Sequence, residues 1–151
     1  MEEIEKLRER VERDPDSKLF LPLAEEYRKA GMYEEAIEVL EKGLQRQPGY
    51  TSAKVALGKI YLEQGKLDDA RVVLEEVALT VPDNLFAKKK LAEIYNKKGD
   101  TERAKEYCKK VLELNPDDEE IKGMLEQLMV SSEEKEAEEL KEPPELTEAP
   151  V

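Results

Sequence analysis

Histidine and tryptophan are absent from the 151 residues, cysteine occurs once and phenylalanine twice. Without histidine the chain lacks the side chain that most often serves as general base or metal ligand near neutral pH. A single cysteine, Cys108, excludes an internal disulfide framework and fits a reducing compartment. No apolar run approaches the roughly 20 residues needed to span a bilayer. The start, MEEIEKLRERVERDP, is charged throughout and does not read as a secretory signal. The glycines stand alone along the chain, so no phosphate loop is present. No loop alternates acids in the D-x-D-x-D-G manner of a calcium site. Aromatics make up only 5%, which leaves few platforms on which nucleobases could stack. These absences point to a soluble cytoplasmic chain that is not an enzyme and takes no cofactor, metal, nucleic acid or membrane.

What is abundant is charge: 41% of the residues, with a formal net of −12. It is unevenly placed, because residues 131–151 hold eight Glu and two Lys, half of the net charge. Against that background LAEEYRKAGMYEEA (23–36), LGKIYLEQGKLDDA (57–70) and LAEIYNKKGDTERA (91–104) recur at intervals of 34 residues. Counting from 17, 51 and 85, position 7 is Leu23, Leu57 or Leu91, position 8 is Ala24, Gly58 or Ala92, and position 11 is Tyr27, Tyr61 or Tyr95. Position 15 is Gly31, Gly65 or Gly99, position 20 is Ala36, Ala70 or Ala104, and position 32 is Pro48, Pro82 or Pro116.

Positions 7, 8 and 11 share one helical face. Glycine at 15 ends that helix at little steric cost. A second helix follows from about 17 to 30, with apolar positions at 20, 24, 27 and 28, filled by Ala70, Leu74, Val77 and Ala78 in the middle copy; Arg71 at 21 is an exception. Proline at 32 stops it. Small residues at 8 and 20 let the paired backbones approach. The paired acids Glu34–Glu35 and Asp68–Asp69 open second helices, where they favour the helix dipole. Cys108 falls at position 24, beside Leu40 and Leu74, and reads as a small buried hydrophobe.

The pattern resembles the tetratricopeptide repeat (TPR) over residues 17–118. The resemblance implies an all-α, right-handed superhelical solenoid of three helix–turn–helix repeats, 17–50, 51–84 and 85–118. Residues 1–16, with Ile4, Leu7 and Val11 on one stripe, form an N-terminal capping helix. Residues 119–130, with Ile121, Met124, Leu125 and Leu128, form a C-terminal one. The acidic residues 131–151 are expected to be disordered, as either an autoinhibitory or a solubilising tail. Two departures from the family pattern stand out: position 4 carries Phe20, Lys54 and Lys88 in place of Trp, and Gly43 replaces Ala at 27, which is expected to loosen packing locally.

In the TPR family the first helices line a concave groove, usually through positions 2, 5, 6, 9, 12 and 13. Carried over, these are Lys18, Leu21, Pro22, Glu25, Arg28 and Lys29, then Ser52, Val55, Ala56, Lys59, Leu62 and Glu63, then Phe86, Lys89, Lys90, Glu93, Asn96 and Lys97. Seven cations against three acids make this surface +4. The resemblance therefore implies a scaffold binding another protein, through an extended or helical segment with acidic and apolar residues. A chaperone-tail carboxylate clamp is not expected. Its places hold Leu21, Glu25, Ala56 and Phe86, and only Lys90 matches. The alternative reading is self-association through the solenoid ends, with Met124, Leu128 and Met129 as candidates.

Overall fold

The computed structural model describes residues 2–141, and every regular element among them is an α-helix. The helices are α1 (Glu2–Arg13), α2 (Phe20–Lys29), α3 (Tyr33–Arg46), α4 (Thr51–Glu63), α5 (Leu67–Thr80), α6 (Leu85–Lys98), α7 (Thr101–Leu114) and α8 (Glu119–Lys141). They fall into two compact units, residues 1–87 and 88–151, divided inside α6.

The repeated residues end the helices as the spacing predicts. Gly31, Gly65 and Gly99 adopt φ of +76°, +73° and +80°, the left-handed region that side chains other than glycine's rarely enter. Each turn closes on a tyrosine carbonyl: Tyr27, Tyr61 and Tyr95 accept from the amides of Met32, Lys66 and Asp100 at 2.8, 2.9 and 2.9 Å. That six-to-one bond satisfies a carbonyl the helix would otherwise strand at its end. At the other boundary Gln47, Val81 and Asn115 turn to ψ of 70°, 81° and 84°, because the following proline forbids the helical region.

In the first unit α2 pairs with α3 and α4 with α5, and α1 packs against α2. The core is built from the repeated positions: Leu23, Ala24, Ala36, Leu40, Leu57, Ala70, Leu74 and Val77 are all buried. Ile4 is buried too, with Leu7 and Val11 packed beside it, so α1 covers the apolar flank of α2. In the second unit Tyr95 stacks on Tyr107 with ring centroids 5.8 Å apart, joining α6 to α7, and α8 lies against α7. Ala104, Cys108, Val111, Ile121 and Leu128 are buried there.

Two expectations change. Gly43 does not loosen the core: the Phe20 ring occupies the space where a Cβ would stand, and both residues are buried. The departures at positions 4 and 27 fill one another. The second concerns the acidic end, where α8 does not stop at Val130 but continues through Lys141. Loss of the apolar stripe after Val130 removes the packing face but not the helix. SSEEKEAEELK contains no Gly or Pro, and most of its residues are strong helix formers, so the helix runs on through Lys141. Between 131 and 140 only Ser132 is half-buried, so this stretch adds no core. The rest of the expected tail, 142–151, lies outside the described residues.

Candidate binding face

On α2 the groove positions turn away from the core less completely than charge alone suggests. Leu21 is partly buried against the core of the first unit. Arg28 donates from Nε and Nη2 to Glu25 Oε2 at 3.2 and 3.0 Å, and from Nη1 to Glu63 Oε1 of α4 at 2.9 Å. It is a bridge between two helices with a carboxylate on each side. Lys18 is exposed and its ammonium stands 4.9 Å from the centre of the Tyr50 ring.

On α4, Val55 and Leu62 are half-buried and Lys59 is exposed. The Lys59 ammonium lies 5.0 Å from the centre of the Phe86 ring, within reach of a cation–π attraction. Ala56 is 5% exposed and belongs to the core, so the sixth position of this repeat offers nothing to a partner.

On α6 of the second unit, Lys90 pairs with Glu93 at 3.1 Å and Asn96 is exposed. Lys89 reaches Asp118 at 2.9 Å and Glu120 at 3.7 Å. Asp118 is buried and its side chain also accepts from the Ile121 amide at 3.1 Å, so it caps α8. The lysine hydrogen bond holds the Asp118 carboxyl below the usual carboxylate range, helped by that amide, and the same bond raises Lys89.

The +4 surface is therefore mostly neutralised in place. Of its seven cations, Arg28, Lys29, Lys89 and Lys90 each stand within 4.0 Å of a carboxylate. Three of the partners, Glu26, Asp118 and Glu120, lie outside the groove positions, which is why counting those positions missed them. The only sequence signal for Asp118 was its place one residue before the EEI that opens a helix.

A separate cleft of about 420 Å³ opens in the first unit between α1, α2 and α3, above Phe20, Leu23 and Tyr27. At its edge the Arg8 Nε donates to the Tyr27 hydroxyl at 3.2 Å. Among the described residues no group of three or more His, Cys, Asp or Glu is placed to hold a metal ion, and no helix is long and apolar enough to cross a membrane. Cys108 is fully buried, and burial pushes its thiol up to about 11. A disulfide reagent at pH 8 should leave Cys108 unmodified in the native protein and titrate it in full once denaturant is added, because only the exposed thiolate attacks.

Comparison with known proteins settles the family. Residues 27–91 match one tetratricopeptide repeat profile and residues 86–118 match a second, together well over half of the chain. The chain belongs to the tetratricopeptide repeat family. Sequence comparison with curated proteins gives no significant match. Among solved structures, this TPR protein is similar to MamA from Desulfovibrio magneticus RS-1, with 21% identity over 90% of this chain and 77% of that one, TM-score 0.77. It is similar to YrrB, described as a TPR protein with an unusual peptide-binding site, at 17% identity over 85% and 67% of the chains, TM-score 0.75. It is also similar to the first TPR of Spaghetti (RPAP3) bound to the HSP90 peptide SRMEEVD, at 20% identity over 78% and 93%, TM-score 0.69. At these identities the likeness establishes a shared TPR fold and nothing more.

Proposed function

We propose that this TPR protein is a non-enzymatic scaffold whose leading helices hold a segment of another protein. The observation that carries the reading is the α4 face, where half-buried Val55 and Leu62 flank an exposed Lys59 seated on Phe86. Half-buried apolar side chains supply affinity on desolvation, and a fixed ammonium supplies steering and register. Leu21, Glu25, Arg28 and Lys18 extend this face in the first unit, and Lys89, Lys90, Glu93 and Asn96 are the corresponding positions in the second. YrrB and the Spaghetti domain bind peptides, which supports a peptide ligand here. The HSP90-type tail does not fit, because Leu21, Glu25, Ala56 and Phe86 stand where the clamp needs Lys, Asn or Arg.

The test is affinity capture from native lysate with wild-type and Lys59→Glu/Phe86→Ala baits side by side, followed by binding of the purified partner. The double variant should retain less than about a tenth of the bound partner, a difference near 1.4 kcal/mol. Undiminished binding by a variant with a native melting curve would move the site elsewhere.

Self-association is the second reading. Met129, Val130 and Leu140 of α8 are 46%, 53% and 87% exposed, whereas Leu128 is buried and Met124 half-buried. The face is thus narrower than the sequence implied.

A further inference from the structure

The α4 face carries more than apolar contact and positive charge. Val55, Lys59, Leu62 and Glu63 follow one another at helical spacing, so they form a single stripe about 12 Å long. Two cations belong to this face, Lys59 within the stripe and Arg28 of α2 beside Glu63, and both occupy first-helix groove positions of their repeats, 9 and 12. Their surroundings differ.

The Lys59 ammonium stands over an aromatic face, and among the described residues no carboxylate lies within 4.0 Å of it. A ring accepts one side of an ammonium, which leaves N–H donors directed outward, already held in place. A partner carboxylate reaching them loses little further freedom of the lysine, which lowers the cost of the contact. Arg28, by contrast, spends three N–H donors on Glu25 and Glu63. The three groups sum to −1, with a carboxylate on either side of the guanidinium. A partner carboxylate arriving there meets repulsion and finds few donors to accept from.

Resting on the scaffold reading above, we infer that this face selects the order of charges in its ligand. It takes a segment with one carboxylate beside a bulky apolar anchor, the carboxylate on Lys59 and the anchor against Val55, Leu62 and Phe86. About 6 Å further along α4, the rise of four residues, it takes a basic or neutral residue and refuses a second acid. Glu25 and Glu63 make Arg28 a selectivity element by consuming its charge.

The experiment uses fluorescein-labelled synthetic dodecapeptides on a Gly/Ser background, read by anisotropy at low salt. Each carries a Leu-Phe anchor followed by Glu-Ser-Lys, Glu-Ser-Glu, Lys-Ser-Glu or Ser-Ser-Ser, and each is also made in reversed order so that either chain direction is sampled. In one direction the Glu-Ser-Lys series should bind the wild-type protein about fivefold to tenfold tighter than Glu-Ser-Glu. Lys59→Glu should invert the preference between Glu-Ser-Lys and Lys-Ser-Glu. Glu25→Gln/Glu63→Gln, which frees Arg28, should raise Glu-Ser-Glu to at least the affinity of Glu-Ser-Lys. Melting curves of the variants confirm that each is folded. Equal binding of all charge orders, or an unchanged order in the Gln/Gln variant, overturns the selectivity inference and leaves the binding face standing. No binding by any peptide in either direction overturns both.

Discussion

Gly43→Ala should destabilise the first unit by about 3 kcal/mol, the upper part of the range for overpacking a fixed core. The change adds one methyl group in mid-helix, where alanine is otherwise preferred by up to about 1 kcal/mol. Propensity therefore predicts a stabilised protein, and packing predicts the reverse. Packing prevails because the new Cβ falls on the Phe20 ring, and Phe20 is 1% exposed with its edge set against Tyr50 at a centroid distance of 5.6 Å. The ring can yield to the methyl only by giving up its contact with Tyr50 and its buried place in the core. Urea denaturation followed by circular dichroism gives the number directly. A second substitution decides the cause: Phe20→Leu alone costs energy by leaving a void, yet in the Gly43→Ala background it should cost less, since a smaller side chain makes room for the methyl. A coupling of at least about 1 kcal/mol between the two sites is expected; strictly additive effects would show that the ring is not the obstacle.

This pair also shows where sequence reading reaches its limit. Six positions repeating at 34 residues disclosed the hairpins, the glycine turns and the proline stops, because each of those is a local demand made by one residue type on its own backbone. Phe20 and Gly43 lie 23 residues apart and each departs from the repeat. Read singly, each is a defect; only their contact shows them to be one solution. The acidic end of α8 differs from the expectation for the opposite reason. It has no apolar face and is helical all the same, because intrinsic propensity favours helix for Glu, Lys, Ala and Leu wherever no glycine or proline intervenes.

The candidate face was legible in part. Which positions lie on the leading helices followed from the phase of the repeat, and Leu21, Val55, Lys59, Leu62 and Phe86 lie on α2, α4 and α6, half-buried or exposed. What the charges do was not legible. Lys59 and Lys89 are both lysines on first helices, but one rests on an aromatic ring and the other on a buried carboxylate. The difference is made by Phe86 and Asp118, 27 and 29 residues away along the chain, so no local pattern carries it.

Asp118 is for that reason the second residue whose replacement should be costly. It joins the start of α8 to α6 through Lys89 and caps the helix through the Ile121 amide. Asp118→Ala removes both and should cost about 2 kcal/mol, roughly half from the cap and the remainder from a pair whose lysine is still 30% exposed and so partly screened. Asp118→Asn keeps an acceptor for the Ile121 amide and should cost about half as much. The two variants also differ from the wild type in acid. Because the folded carboxyl titrates below its ordinary value of 3.8, its contribution is complete above that value and disappears as the pH falls through the lower, folded one. The stability gap between wild type and Asp118→Asn, measured by urea denaturation, should therefore be flat from neutral pH down to about 4 and close only below it. A gap that closes already between pH 7 and 5 would mean that Lys89 and Asp118 are not joined in solution. The cap is checked separately: hydrogen exchange at Ile121 and the first turn of α8 should be severalfold faster in the alanine variant than in the wild type, in proportion to the opening free energy the cap adds, and equal rates would show that Asp118 does not cap α8.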